Sequence, residues 1–332
     1  MKHYYGDRLH RIGPHGLYVD RRTFLSAAGL AALGSACGGH SPTGPDPGPT
    51  SSPGPVPPVT AQFLNGLNRG EFVDGLTVTV NGVPLAGTTG SDGRSSGAIP
   101  NGAGITTRGR SDYLDREMLF SSASPQLPLW HLAGIYDAGY YKALIYDRSW
   151  APSIVTLMRP AGGTYTVSAT PELKASSAAM HEIQTGLSEA MRVSAPTDEP
   201  IQFSWVDSGG AVSYEVNGSD PAIVGEVGAV NYLKTNGSTI TGGRVVFKSL
   251  VAAALKGVAV HETGHFMGYG HSSRSEDLMY FSTHGQRAEL GPGETSAWVM
   301  MAQRKPGNRF PDKDASVTGS ANLPREILIT CA

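Results

Sequence analysis

The sequence has few cysteines, few charged residues and no basic run, and each shortage excludes a class of protein. Only Cys37 and Cys331 occur in 332 residues, too few for a disulfide framework or a cysteine-based zinc finger. Any metal site is therefore expected to use histidine and carboxylate ligands. Charged residues make up 16% of the chain, the formal net charge is -2, and no dense Lys/Arg run occurs. These features argue against a nucleic-acid-binding protein.

The N-terminal region carries an apolar stretch that is too short to span a membrane. It runs from Phe24 to Ala36 and is diluted by serine and glycine. A membrane-spanning helix needs roughly 20 apolar residues, whereas this stretch has about a dozen, which is typical of a signal peptide. Arg21 and Arg22, followed by Phe24 and Leu25, resemble a bacterial twin-arginine export signal. We expect residues 1–37 to be an export signal; the alternative is a cytosolic helix that begins with two arginines.

Cys37 is a candidate lipidation site at the end of this signal. The segment Leu33-Gly34-Ser35-Ala36-Cys37 resembles a lipoprotein box, although Gly34 stands where leucine is usual. Gly34 and Ala36 equally suit ordinary signal peptidase, which would cut the same bond. A Pro/Gly/Ser-rich tether over residues 38–60 favours lipidation, because it would act as an extended spacer from a membrane. The other alternative for Cys37 is a disulfide bond with Cys331.

Two regions with different element patterns follow the tether. Residues 61–125 have the pattern of short strands broken by turns, with Asn81-Gly82 and Asp92-Gly93 as hairpin signals. They resemble carboxypeptidase-regulatory-like modules, which predicts a small β-sandwich-like module with a structural or spacing role. Residues 126–332 combine strands with longer helices, which favours an α+β domain.

Hydrophobic periodicity predicts the main elements of this second region. Strands are predicted at 164–168, 201–205, 227–233 and 243–248, and helices at 174–192 and 250–267. The first helix is expected to bury Met180, Ile183, Leu187 and Met191. The second is expected to bury one apolar stripe formed by Leu250, Val251, Ala254, Leu255 and Val258.

The residues that carry chemistry lie in one short segment. The pattern HExxHxxGxxH is matched without a mismatch by His261-Glu262-Thr263-Gly264-His265-Phe266-Met267-Gly268-Tyr269-Gly270-His271. Residues four apart share a helix face, so His261 and His265 can present two imidazoles to one ion. Gly268 is expected to end the helix in a left-handed conformation and to return His271 as third ligand. Three protein ligands and an open position describe a catalytic zinc site, and Glu262 can act as a base beside it without binding the metal.

This segment resembles the metzincin zinc peptidases, and the matrixin-like branch most closely. Met279, eight residues past His271, looks like the methionine turn that forms the floor of the zinc site. The resemblance implies a twisted mixed sheet with an active-site helix, a bound Zn²⁺ ion, and a C-terminal helix over residues 292–303 that begins at Pro292. It also implies that the strand at 227–233 is the edge strand that pairs with an extended substrate.

Other family features are missing or weaker in this sequence. Neither cysteine lies in a pro-region, so we identify no cysteine-switch segment. The His and Asp cluster that matrixins use for structural zinc and calcium is not evident, and Asp312 with Asp314 does not make an EF-hand loop. His181 falls on a predicted helix, where a packing or surface role is expected. Tyr280 and Phe281 are the candidates for the wall of the main specificity pocket.

Together these features predict an exported zinc endopeptidase in which Glu262 is the general base. The expected partner is a protein or peptide substrate, and contact with a membrane is expected only through an N-terminal lipid anchor. The expected location is the cell envelope, for a lipoprotein, or the medium, for a secreted protein. Two rivals share the same residues: a non-cleaving surface lipoprotein whose zinc domain binds its partner, and a zinc hydrolase that acts on a non-peptide amide.

Replacing Arg21 and Arg22 with lysine is expected to hold the protein in the cytoplasm, because twin-arginine export depends on the arginine pair. Cys37→Ser is expected to abolish acylation. Cell fractionation measures the first effect and metabolic labelling with palmitate the second. An unlabelled wild-type protein would refute lipidation and leave the export prediction standing.

Overall fold

A computed structural model describes residues 57–66, 70–132, 136–146, 156–195, 197, 199–225, 227–282, 287, 289–314 and 324–331. The predicted export signal, Cys37 and most of the tether lie outside these residues. The described residues belong to one compact unit, which spans residues 55–332. Its first strand begins at Val59, slightly before the predicted end of the tether at residue 60.

The described N-terminal residues of this unit form two small sheets. Their strands are β1 (Val59–Asn65), β2 (Thr77–Val80), β3 (Val83–Thr88), β4 (Arg94–Ile99), β5 (Gly104–Arg108), β6 (Arg116–Leu119) and β7 (Gln126–Leu129). The strand orders are β4-β1-β7 and β3-β2-β5-β6. Asn81 and Gly82 make the predicted hairpin turn between β2 and β3, because both adopt the positive φ (48° and 84°) that such a turn requires.

The two small sheets share one buried apolar cluster. Strands of both sheets contribute to it, with Phe63 and Leu129 from one sheet and Val78, Ile105 and Met118 from the other. The expected strands and turns of residues 61–125 are thus present. Their assignment to a β-sandwich-like module with a spacing role stays a prediction.

The second part of the unit is built on a mixed sheet. Its strands are β8 (Arg159–Pro160), β9 (Gly163–Ala169), β10 (Ile201–Trp205), β11 (Val212–Val216), β12 (Ala229–Asn236), β13 (Thr239–Phe247) and β14 (Pro324–Cys331). The order is β10-β9-β11-β13-β12-β14, with β8 beside β13. Strands β10, β9, β11 and β13 run parallel, whereas β12 is antiparallel to both β13 and β14. This mixed sheet fits the α+β expectation and the metzincin resemblance.

Helices accompany this sheet. They are α1 (Ala138–Ile145), α2 (Pro171–Ala175), α3 (Ser177–Ser194), α4 (Leu250–Ala253), α5 (Val258–Phe266) and α6 (Pro292–Ala302). The predicted C-terminal helix is confirmed as α6, which has Pro292 at its N-terminus as expected. Among the described residues, no helix is long and apolar enough to cross a membrane.

The helix predicted over residues 174–192 is divided in two. Ser176 separates α2 from α3, because its hydroxyl caps α3 by accepting a hydrogen bond from the Ala179 backbone N–H at 3.3 Å. Ile183 and Leu187 are buried as expected. Met180 and Met191 are only partly buried, because the buried face of α3 runs instead through its smaller residues and Glu182.

The helix predicted over residues 250–267 is also broken. Gly257, between α4 and α5, has a φ of 83°, which a helix cannot continue. Its backbone N–H donates to the carboxylate of Glu182 at 3.1 Å. The prediction of one continuous buried stripe is therefore wrong, and three of its members are exposed: Leu250, Val251 and Leu255.

The close contact of α3 with α5 depends on Gly186. A Cβ at this position would lie 2.9 Å from the Ala259 carbonyl oxygen and 3.1 Å from Val260 Cα, both backbone atoms of α5. Any side chain would therefore separate the two helices. The helix α5 also contacts the strands β12 and β13. The contacts with α3 and with these strands together fix the position of α5 against the sheet.

Strand β12 is not the free edge of the described sheet. β14 pairs with it in antiparallel register from Ala229 opposite Cys331 to Asn236 opposite Pro324. β14 is not among the predicted strands. The prediction that residues 227–233 form an open edge strand is therefore wrong for this structure, because β14 of the same chain pairs with that edge.

Buried ion pairs join the two parts of the unit. Arg116 on β6 lies 3.6 Å from Asp312 and 3.5 Å from Asp314, and Arg304 lies 2.8 Å from Asp312. Removing one partner of such a buried pair costs about 3–5 kcal/mol, because the other charge is left uncompensated. The two aspartates thus pair with arginines, which agrees with the expectation that they do not make an EF-hand loop.

Gly186→Ala is expected to destabilise the protein, because the added methyl group would meet backbone atoms of α5. Overpacking costs about 1–3 kcal/mol, which outweighs the gain of about 1 kcal/mol from replacing glycine by alanine in a helix. Gly293→Ala on α6 is the matched control, since a Cβ there meets no atom closer than 3.9 Å. Denaturant unfolding compares the two variants. Equal stability would contradict the close packing of α3 and α5.

Candidate metal centre

Two candidate ligands lie on α5, a helix that is buried along its whole length. His261 and His265 are about one turn apart, so their rings project from the same face. The Nε2 atoms of the two rings are 3.1 Å apart. Both side chains are fully buried, so bulk water does not compete with a metal ion for their nitrogen atoms.

Gly268 turns the chain after α5 and returns the third histidine. Its φ is 97°, in the region that favours glycine, and a Cβ there would lie 1.8 Å from the Met158 carbonyl oxygen. The His271 ring centroid lies 5.3 Å from that of His261 and 4.8 Å from that of His265. The structure thus brings the three predicted ligands together, with Gly268 in its expected reversal.

Backbone carbonyl groups hold two of the imidazole rings in one tautomer. His261 Nδ1 lies 2.7 Å from the Leu278 carbonyl oxygen, and His265 Nδ1 lies 2.8 Å from that of Tyr269. Since a carbonyl can only accept, each Nδ1 must carry the proton and each Nε2 must carry a lone pair. Two lone pairs that face each other at 3.1 Å repel, and a cation between them removes that repulsion.

Burial also keeps the imidazoles of His261 and His271 neutral. It lowers the pKa of His261 to about 4, and it lowers the pKa of His271 to about 3 with a further contribution from the nearby His261. Desolvation dominates in both because it penalises the charged form. Neutral imidazole is the form that binds a metal.

Cys331 completes this cluster, which was not expected from the sequence. Its Sγ atom lies 3.2 Å from His265 Nε2 and 3.6 Å from His271 Nε2. The ligand atoms of the three histidines and Cys331 all lie within 4.8 Å of one another. The expectation that any metal site uses only histidine and carboxylate is therefore wrong for this cluster. The thiol of Cys331 is free, and Cys37, its alternative disulfide partner, lies outside the described residues.

Three of the six separations between these ligand atoms are close to those of a tetrahedral zinc site. Zn–N bonds of about 2.05 Å and Zn–S bonds of about 2.3 Å give ligand separations of ~3.3 Å between two nitrogens and ~3.6 Å between nitrogen and sulfur. The observed 3.1 Å between His261 and His265, and 3.2 and 3.6 Å from Cys331, are close to these values. The His₃Cys donor set is suited to zinc, which binds imidazole nitrogen and thiolate sulfur.

Glu262 lies beside the ligands and is held by a second residue that the sequence analysis missed. Its Oε2 accepts hydrogen bonds from the side-chain amide of Asn231 on β12 and from the Cys331 thiol, the latter at 3.5 Å. Burial raises the pKa of Glu262 to about 8, and these two hydrogen bonds oppose the shift. A bound cation would also oppose it. The only sequence signal for Asn231 is a polar side chain inside an apolar strand.

Met279 packs against the helix α5 at Gly264, and its role as a methionine turn stays a prediction. It is fully buried, and its Sδ atom occupies the space that a Cβ on Gly264 would need, 2.5 Å away. Its backbone N–H donates to Glu294 at 2.9 Å, and its carbonyl accepts from Ser272 at 2.6 Å. Glu294 also accepts from the Gly291 N–H at 2.9 Å, so the buried carboxylate ties the turn to the start of α6.

The remaining sequence candidates lie outside the cluster. Tyr280 is half-buried and Phe281 is 48% exposed, and their rings contact each other at a centroid distance of 4.5 Å. Their role as a pocket wall stays a prediction. His181 is exposed on α3, which agrees with a surface role. Cys37 lies outside the described residues.

Comparison with known proteins agrees with the geometry. The sequence model of the matrixin family matches residues 163–291. The match includes the three histidines, Glu262 and Met279, but it ends before Cys331. Together with the mixed sheet and α5, it defines this part of the chain as a matrixin-like, and hence metzincin-like, domain of the metallopeptidase kind. No curated protein matches the chain.

His271→Ala is expected to lose most of the bound zinc. Loss of a residue that only orients a ligand already weakens metal binding by about 10–100-fold, and loss of a ligand should cost at least as much. His181→Ala is the matched control, because His181 is exposed on α3. Zinc per chain is measured after dialysis against a chelator of known affinity. Full zinc retention by the His271 variant would contradict the ligand assignment.

Proposed function

We propose that the protein is an exported zinc-dependent endopeptidase that hydrolyses peptide bonds. The observation that carries the proposal is the convergence of three imidazoles on one point with a carboxylate beside them. The Nε2 atoms of His261 and His265 are 3.1 Å apart, and the buried Glu262 is next in sequence to His261. The matrixin-like sequence of residues 163–291 supports the same reaction class.

The residues of the site have different roles in the proposed reaction. A zinc ion held by the three histidines would supply Lewis acidity, which polarises a scissile carbonyl and lowers the pKa of a water molecule. Glu262 accepts the proton of the attacking water and returns it to the leaving amine. Asn231 donates to the Glu262 carboxylate and keeps it oriented for both transfers. Met279 packs against the ligand helix α5 at Gly264.

The proposed substrate is an extended segment of a protein or peptide. An extended chain gains backbone hydrogen bonds by adding to a sheet edge, and β12 is the strand that carries Asn231 beside Glu262. A net charge of -2 without a basic run supports a substrate other than nucleic acid.

Export is part of the proposal. Arg21 and Arg22 with the short apolar stretch support transport by the twin-arginine route, and Cys37 supports a lipid anchor in the cell envelope. Without lipidation, the same signal supports a freely secreted enzyme. In either case the proposed contact with a membrane is limited to the N-terminus.

A non-cleaving zinc domain is the second candidate, and Cys331 is the observation that favours it. Four protein ligands close a zinc site, and closed sites are typically structural. Zymography on several proteins, with and without a chelator, separates the two candidates. Cleavage that a chelator abolishes would refute the non-cleaving function. Cleavage of amides other than peptide bonds would instead identify a non-peptide amide hydrolase.

Glu262→Ala is expected to keep about one zinc per chain and to lose turnover by a factor on the order of 10² to 10⁴, the usual contribution of a positioned general base. Stability should fall by about 1–3 kcal/mol, because the buried Asn231 amide loses its hydrogen-bond acceptor. Glu172→Ala is the control, since Glu172 is exposed at the start of α2. Metal analysis, thermal melts and cleavage of a labelled protein measure the three effects. Cleavage at the wild-type rate would exclude Glu262 as the base.

A further inference from the structure

Strand β14 occupies the sheet edge that the proposed substrate would need. It pairs antiparallel with β12 over eight residues, from Pro324 opposite Asn236 to Cys331 opposite Ala229. Extended peptides are bound by other proteins through the same kind of strand addition. While β14 is in place, its backbone takes the hydrogen bonds that a substrate would take from β12.

The side chains of β14 alternate between the protein interior and solvent. Ile327, Ile329 and Cys331 are buried, whereas Leu328 between the two isoleucines is 44% exposed. Two residues per repeat is the period of a strand with one buried face. The alternation therefore directs Cys331 inward, to the same side as the two isoleucines.

The end of β14 is fixed at the metal cluster. The Cys331 carbonyl oxygen accepts a hydrogen bond from the Gly228 N–H at 3.0 Å. Its Sγ atom lies 3.2 Å from His265 Nε2 and 3.5 Å from Glu262 Oε2. The thiol thus stands between the candidate base and the ligands, where an attacking water would need to be.

We propose that β14 is a built-in inhibitory strand, which holds the enzyme latent by covering the substrate edge and by filling the open metal position with the Cys331 thiolate. This inference rests on the proposed peptidase function. A catalytic zinc site keeps one position for water or substrate, and a fourth protein ligand removes it. Release of β14 would open the edge of β12 and the fourth position in one step.

The first experiment tests Cys331 as a ligand without measuring activity. The full chain with Cys37→Ser leaves Cys331 as the only thiol, because the sequence has two cysteines. With one Co²⁺ per chain in place of zinc, a thiolate ligand gives an intense near-ultraviolet charge-transfer band. We expect this band in the Cys37→Ser protein, and we expect Cys331→Ser to abolish it while metal remains bound.

Alkylation separates a metal-bound thiol from a thiol that is only buried. We expect iodoacetamide to modify Cys331 at least about tenfold more slowly in the metal-loaded chain than after chelation. A tenfold difference corresponds to ~1.4 kcal/mol of protection by the metal. A thiol protected by burial alone would react equally in both states. Equal rates, or a metal-loaded protein without the charge-transfer band, would overturn the assignment of Cys331 as a ligand.

The second experiment tests latency. Ile329→Asp places a charge on the buried face of β14 and should expel the strand, whereas Leu328→Asp makes the same chemical change at the neighbouring exposed position. We expect Cys331→Ser and Ile329→Asp to cleave labelled casein at least about tenfold faster than wild type, equivalent to removing ~1.4 kcal/mol of blocking interaction. The Leu328 variant should cleave at the wild-type rate and keep the charge-transfer band, and the Ile329 variant should lose the band.

The possible failures are distinguishable. If zinc binds and wild-type cleavage depends on Glu262, but neither Cys331→Ser nor Ile329→Asp cleaves faster, β14 is not inhibitory and the proposed peptidase stands. If no variant cleaves casein or the proteins used for zymography, the proposed function fails and latency fails with it. The cobalt spectrum and the alkylation rates then still decide whether Cys331 binds the metal.

Discussion

The structure is organised around a cluster of buried nitrogen lone pairs that repel one another and that a bound cation would stabilise. Backbone carbonyls fix the protons of His261 and His265 on Nδ1, so both Nε2 atoms present lone pairs to the same point. Burial lowers the pKa values of His261 and His271, which keeps those two rings neutral. Without a metal this arrangement is electrostatically unfavourable, so metal binding and folding of this region should be coupled.

Several distant parts of the chain converge on this cluster. The helix α5 is set by the turn at Gly257 and by the close contact of Gly186 with its backbone. The floor is set by Met279, whose backbone is held by Glu294 at the start of α6. The base is oriented by Asn231 from β12. Each contact acts on the ligands through the backbone or through one buried polar group, which leaves little freedom in the geometry of the centre.

The closed state of the centre reconciles two features that otherwise conflict. Three histidines and a neighbouring glutamate describe a catalytic site, whereas a fourth ligand describes a structural one. If β14 separates from the sheet as proposed, one molecule can adopt both states. β14 is bound along one side by β12, and its thiol end interacts with the ligands and the base at once. In the proposed mechanism the same strand links substrate access to metal coordination.

The sequence by itself determined the local chemistry of the centre. The spacing of His261, His265 and His271, the glycine at 268 and the methionine at 279 identify a helix, a reversal and a floor, because each requirement is met within a short segment. Hydrophobic periodicity also predicted the strands β9, β10, β12 and β13, whereas the family resemblance predicted the helix α6. The periodicity gave the wrong helix boundaries at two residues. Ser176 interrupts the first predicted helix because its side chain caps α3, and Gly257 interrupts the second because its φ is positive.

Only the tertiary structure decided what completes the centre. Cys331 lies 60 residues beyond His271 in sequence, and its thiol is 3.6 Å from that histidine because β14 crosses back to pair with β12. Asn231 likewise reaches Glu262 across the interface between a strand and a helix. Neither residue belongs to a local pattern, because their roles depend on strand pairing and helix packing between segments far apart in the chain. The spacing therefore predicted the histidine helix, whereas the position of Cys331 at the cluster and the pairing of β14 with β12 depend on the fold.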